Sequence, residues 1–168
     1  MTTLAGSLIF QAAMLFTNAL DLSTAKDELN RKTQYDFTDG TGSNQADRIW
    51  HDQRTLTASS SENLDLAGSL SSVYGASITF ATVKAIIIKA ASGNTNDVVV
   101  GNAASNQFVG WFGAAAHTEA VKPGGISIHI APATGWTVTA GTVDQLKILN
   151  GGAGTSVTYD IIIIGTSA

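Results

Sequence analysis

The stretch YDFTDGTGSNQADRIWHDQRTL, residues 35–56, gathers Asp39, Gly40, Gly42, Ser43, Asn44 and Asp47 between two apolar segments. Carboxylates here could hold a cation, and the backbone N–H groups of the glycines a phosphate. A calcium loop needs oxygen ligands at alternating positions and a closing Glu, and this stretch has neither. A phosphate loop needs a Lys after its glycines and a strand-to-helix context, also missing here. The simpler expectation is a hairpin loop whose Asp and Asn side chains bond to their own backbone, with Gly supplying positive φ.

The remaining chemistry-bearing residues are scattered. His51 adjoins Asp52, but neighbouring residues of a strand point to opposite faces, so they do not form a general-base pair. His117 sits in the Ala-rich loop GAAAHTEA, and His129 lies on a strand whose Ile126, Ile128 and Ile130 face the other way, which predicts an outward or interface histidine. No two histidines have metal-ligand spacing, so a cupin-like metal site would have to be assembled from distant strands. Ser59 to Ser61 lack a G-x-S-x-G context, and nothing singles out two of Glu62, Asp65 and Glu119 as a glycosidase pair. Trp50, Trp111 and Trp136 fall mostly in strand phase, which favours core or interface packing over a sugar-stacking platform. No catalytic, cofactor-binding or metal-ligating residue is assigned, and no cofactor is expected.

The elements that would position these residues are strands. Thr33, Tyr35 and Phe37 alternate with Lys32, Gln34 and Asp36, and Trp50 and Leu56 share a face of the next stretch. SITFATVKAIIIKAA (77–91) turns continuously apolar at Ile86 to Ile88, as in a central strand covered on both faces. Short apolar runs follow at 97–101, 108–113, 125–131, 135–140, 145–151 and 155–165, separated by Gly, Asn or Pro. Helix is scarce: residues 68–75 could form a turn or two, and residues 21–32 a Ser-capped turn. LIFQAAMLF reads as a strand because Leu8, Phe10, Met14 and Phe16 share parity. Eight or more strands without alternating helices predict an all-β chain, an antiparallel β-sandwich of jelly-roll type, with residues 1–30 as an extended N-terminal arm or edge segment and 31–168 as the sandwich domain.

Composition narrows the partners. The 168 residues are 44% hydrophobic but only 13% charged, with 17 glycines and no cysteine. A charge-poor, Thr-rich surface suits contact with protein, because burying Thr or Asn costs far less than burying Lys or Glu. A net charge of −4 gives no basic field for nucleic acid. No apolar run approaches the roughly 20 residues of a spanning helix. No Lys or Arg precedes Leu8, so a signal-peptide n-region is lacking. A soluble chain with neither nucleic-acid nor membrane partner is expected.

The phrases FTDGTGSNQADRIWHDQRTL, ENLDLAGSL, VKAIIIKAASGNTNDVVVG, VKPGGISIHIAPATGW and GGAGTSVTYDIIIIG together resemble a family of small proteins encoded among the structural genes of tailed bacteriophages. The resemblance spans about residues 35–165 and lies in structural rather than catalytic motifs. It implies a virion protein. Two roles use such modules: a capsid decoration or cement protein on the head surface, and a tail or baseplate adaptor or carbohydrate-binding receptor module. A single module with an arm that reaches neighbours fits the head better, where many weak contacts add up through avidity. The implied partners are the major capsid protein and the chain itself, a homotrimer before a dimer. The expected contact residues are Leu8, Phe10 and Phe16 on the arm, with Trp111 and Phe112 as a second interface patch.

Overall fold

The computed structural model describes residues 3–168, so the first two residues of the expected arm lie outside the described residues. The chain is all-β, as expected. Its strands are β1 (Gly6–Ala19), β2 (Thr24–Phe37), β3 (Arg48–Leu56), β4 (Ser61–Asp65), β5 (Leu70–Ser71), β6 (Ser77–Ile78), β7 (Thr82–Ala90), β8 (Val98–Gly101), β9 (Thr118–Val121), β10 (Ile126–Ile130), β11 (Trp136–Thr137), β12 (Gln145–Asn150) and β13 (Val157–Thr166).

Two antiparallel sheets face each other. One has the order β10-β7-β13-β3, with β11 also paired to β7, and the other has the order β4-β12-β8-β9. The pairings are nested: β3 with β13, β4 with β12, β7 with β10, β8 with β9. Alternation explains the core. Val157, Tyr159, Ile161 and Ile163 of β13 and Ile86, Ile88 and Ala90 of β7 point inward, where they meet Leu64, Val98, Val100, Val121, Leu146 and Ile148 of the other sheet. Trp50 and Leu56 join the same core, as their shared phase predicts.

One polar clamp crosses the two layers. The Tyr159 hydroxyl on β13 donates to Glu62 Oε1 on β4 at 2.8 Å, and the Arg54 guanidinium on β3 reaches Glu62 Oε2 at 2.7 Å. Burial first, and then the Glu62 carboxylate, push the Tyr159 phenol far above its ordinary pKa, so it remains a donor.

Several local expectations are corrected. Residues 35–56 do not form a hairpin, because β2 pairs with β1 while β3 pairs with β13. Residues 21–32 hold no helical turn: β2 runs unbroken from residue 24 to 37, so the expected boundary at residue 30 falls inside a strand. Residues 68–75 hold turns on either side of the short strand β5 rather than helix. Residues 108–113 are not a strand, because the chain turns at Gly110 (φ +37°) and the Phe112 N–H bonds to the Val109 carbonyl at 2.6 Å. Among the described residues no helix is long and apolar enough to cross a membrane.

The register of β13 against β7 slips between Ile164 and Gly165. A Cβ at Gly165 would lie 2.1 Å from the Thr82 carbonyl oxygen and 2.8 Å from the Phe80 ring, so the bulge needs a residue without one. Gly165→Ala should lower unfolding stability by about 1–3 kcal/mol in urea denaturation, the usual cost of overpacking a closed core. An unchanged midpoint would show that the bulge relaxes freely.

Candidate functional site

Two regions draw together the residues with functional potential: the N-terminal hairpin and an aromatic cluster where the sandwich edges meet. The hairpin is β1 paired with β2 along its whole length, from Gly6 opposite Phe37 to Ala19 opposite Thr24. Only its base touches the sandwich. Leu4, Leu8, Tyr35 and Phe37 pack with Ala46 of the connector before β3 and with Ala85, Ile130, Ile162 and Ile164 on the outer face of the β10-β7-β13-β3 sheet. Phe10, Thr33 and Tyr35 line a groove with Ile128 and Ile130. Beyond Phe10 every residue of both strands up to Gln34 is exposed, including Met14 at 69% and Phe16 at 75%. A two-stranded ribbon exposed on both faces is marginal by itself in water.

The opening motif ties this arm to the body. Asp39 Oδ1 accepts the Leu4 N–H at 2.9 Å, and Gln45 Oε1 accepts the Gly42 N–H at 2.9 Å. Asp47 Oδ1 takes the Ser167 N–H at 2.8 Å and Oδ2 takes the Ser167 hydroxyl. The Asn44 N–H bonds to the Pro132 carbonyl at 2.9 Å, and Ala46 is fully buried. Both carboxylates therefore satisfy the chain's own donors, and the glycine-rich stretch is a connector rather than a cradle.

The aromatic cluster closes the gap between β9 and β10, the edge strands of the two sheets. Trp111 stacks on His129 with centroids 4.2 Å apart and planes 16° apart, and meets Trp136 edge-on at 5.7 Å. Phe112 lies 4.7 Å from Trp111, and both pack half-buried against the core. Glu119 Oε2 accepts from Trp111 Nε1 at 3.1 Å and lies 2.8 Å from His129 Nε2. Ser127 Oγ lies 3.0 Å from the same His129 nitrogen. Burial raises the Glu119 pKa, but the bonds from Ser127, His129 and Trp111 and the nearby His129 charge outweigh it, so the carboxyl sits below its ordinary value.

His129 thus faces the gap between the sheets rather than outward. Its register explains the correction: His129 and Ser127 lie opposite the inward Ile86 and Ile88, whereas Ile128 and Ile130 lie opposite Ile87 and Ala85 and turn toward the arm. Ser, His and Glu together invite comparison with a hydrolytic triad. There the carboxylate and the nucleophile engage different ring nitrogens, and here both meet Nε2, so Glu119 does not hold the ring by one nitrogen while the other takes the Ser127 proton. Among the described residues no cluster of three or more His, Asp or Glu side chains could hold a metal ion.

Of the expected contact residues, Phe16 stands exposed on the arm, Leu8 and Phe10 are half-buried at its base, and Trp111 and Phe112 belong to the closed aromatic cluster. What the sequence missed is the first half of the arm's charged second strand, residues 24–30, which has no alternation to announce it. Comparison of the chain with models of protein families, with curated proteins and with solved structures finds no match in any of the three.

The Glu119 carboxylate ties β9 to β10, so its ionised form should favour the folded state. With its folded pKa below the unfolded value, that contribution is complete above the usual carboxylate range, near about 4.3, and disappears as pH falls through the lowered value. Wild type should exceed Glu119→Gln in denaturation midpoint at neutral pH, and the gap should close at pH values below the range. A gap that persists unchanged in acid would contradict this role of the carboxylate.

Proposed function

We propose that this protein is a structural subunit of a tailed-bacteriophage virion: a capsid decoration, or cement, protein that binds across capsomer joints and stabilises the expanded head. The observation that supports this most is the arm. A charge-poor sandwich carries a two-stranded ribbon that projects beyond its base and exposes Ile9, Met14, Leu15, Phe16 and Leu29. Apolar surface held out on a hairpin is a binding device, since an exposed patch of this kind is costly until a neighbour covers it. Its partners in this role are the major capsid protein and further copies of itself.

The sandwich suits the role as a rigid platform. The nested pairing of its strands, outermost with outermost and innermost with innermost, supports reading it as a jelly roll, a fold built by rolling up one long hairpin. Cementing is then a linkage effect: a subunit that binds only the assembled, expanded lattice stabilises that lattice against its alternatives, and many copies multiply a weak contact.

Quantitative mass spectrometry of purified virions should find this chain in numbers comparable to the major capsid protein. A small fraction of that number would place it in the tail or neck instead. Replacing residues 9–34 by a short Gly-Ser turn should leave the sandwich folded but abolish binding to heads. Full binding by the armless chain would overturn the role given to the arm.

A further inference from the structure

The two edges of the arm differ in kind. β1 has no charged residue from Gly6 to Ala19, whereas β2 carries Lys26, Asp27, Glu28, Arg31, Lys32 and Asp36. Charges on a strand are a common protection against unwanted edge pairing. β2 has that protection and β1 does not. Among the described residues β1 pairs only with β2, so its other edge presents an open row of N–H and C=O groups.

The pattern along β1 is also self-complementary. An antiparallel second copy of β1, related by a two-fold axis through Ala12 and perpendicular to the ribbon, brings Leu8 opposite Phe16, Phe10 opposite Met14 and Ala12 opposite Ala12 on one face. On the other face Ile9 meets Leu15 and Gln11 meets Ala13. A register centred on Ala13 would instead oppose Ile9 to Thr17 and Gln11 to Leu15, and one centred on Gln11 would oppose Leu15 to Ser7. Of these three registers, which overlap most of the strand, only the one centred on Ala12 matches large apolar residues with large ones on both faces, the arrangement that stabilises cross-strand pairs. The product is a four-stranded sheet, β2-β1-β1-β2, with uncharged strands at its centre and charged strands at its edges. That is the distribution expected of a finished sheet, and the single hairpin is half of it.

We propose that β1 is the seam of a homodimer, pairing antiparallel with β1 of a second copy about Ala12. The occupant is the same chain rather than another because the sequence of β1 completes itself. The inference does not rest on the virion role: copy number in particles tests that role, and association in solution tests this one.

The chain has no cysteine, so single cysteines report the register cleanly. Facing Cα atoms in an antiparallel pair lie about 4.5–5.5 Å apart, within disulfide reach. Ala12→Cys should therefore form a covalent dimer under mild oxidation. Thr17→Cys should not, because in this register the two copies of residue 17 lie roughly 30 Å apart along the ladder. Both positions are exposed on the arm, so neither change should disturb the sandwich. Sedimentation of the unmodified chain should show a concentration-dependent dimer, and Ala12→Lys, which sets like charges face to face, should weaken it at least about tenfold. A chain that stays monomeric at every concentration would overturn the proposal and leave the edge for a different protein. Equal crosslinking at residues 12 and 17, or a dimer indifferent to Ala12→Lys, would overturn it by placing the contact elsewhere.

Discussion

The structure depends on β13 being apolar on both faces. Ile161 and Ile163 point into the sandwich, while Ile162 and Ile164 point out of it. Flanked by β3 and β7, the strand has every backbone group within reach of a ladder, but its outer face still needs a cover. The base of the arm supplies one. Phe37, Leu8 and Tyr35 close over Ile164 and Ala85, so the burial that completes the sheet also fixes where the arm leaves it. At the same end Gly165 lets β13 bulge past Thr82, and Asp47 holds Ser167, the residue after the end of β13, through two bonds.

From that anchor the two candidate regions acquire different characters. The aromatic cluster is a closed joint: Trp111 is covered by His129, Phe112 and Trp136, and its N–H is taken by Glu119. Its polar groups bond to one another across the two sheets and so tie β9 to β10. The arm is the reverse. Its backbone is half-paired and its side chains face water, which is stable only as part of something larger.

The sandwich was legible in the sequence wherever one face differs from the other. Tyr159, Ile161 and Ile163 keep strict parity, and Trp50 and Leu56 do the same on the neighbouring strand. Parity failed in two circumstances. Where both faces are covered, as on β10, alternation cannot say which face is inward, and His129 was placed on the wrong side. Where both faces are wet, as on β2, burial imposes no pattern, and Lys26 to Lys32 resemble a loop or a turn although they are held in a ladder by β1. The run from Phe108 to Gly113 failed for another reason: its composition suits a strand, but Gly110 turns the chain so that its aromatics fan out across the joint. The glycine-rich stretch after Phe37 resembles a hairpin loop locally, but its long-range partners, Leu4, Pro132 and Ser167, are invisible to local sequence rules.

The central claim is that the arm is an assembly element whose β1 edge is completed by another strand. Hydrogen exchange at the β1 amides, followed from dilute to concentrated protein, tests it most directly. In an antiparallel ribbon alternate amides point away from the partner strand, so alternate β1 amides are open when the arm is alone. The account predicts that this alternate set exchanges fast in dilute solution and becomes protected as concentration rises, while the sandwich amides do not change. Fast exchange of the same amides at every concentration, with the chain also unprotected there when assembled, would contradict it.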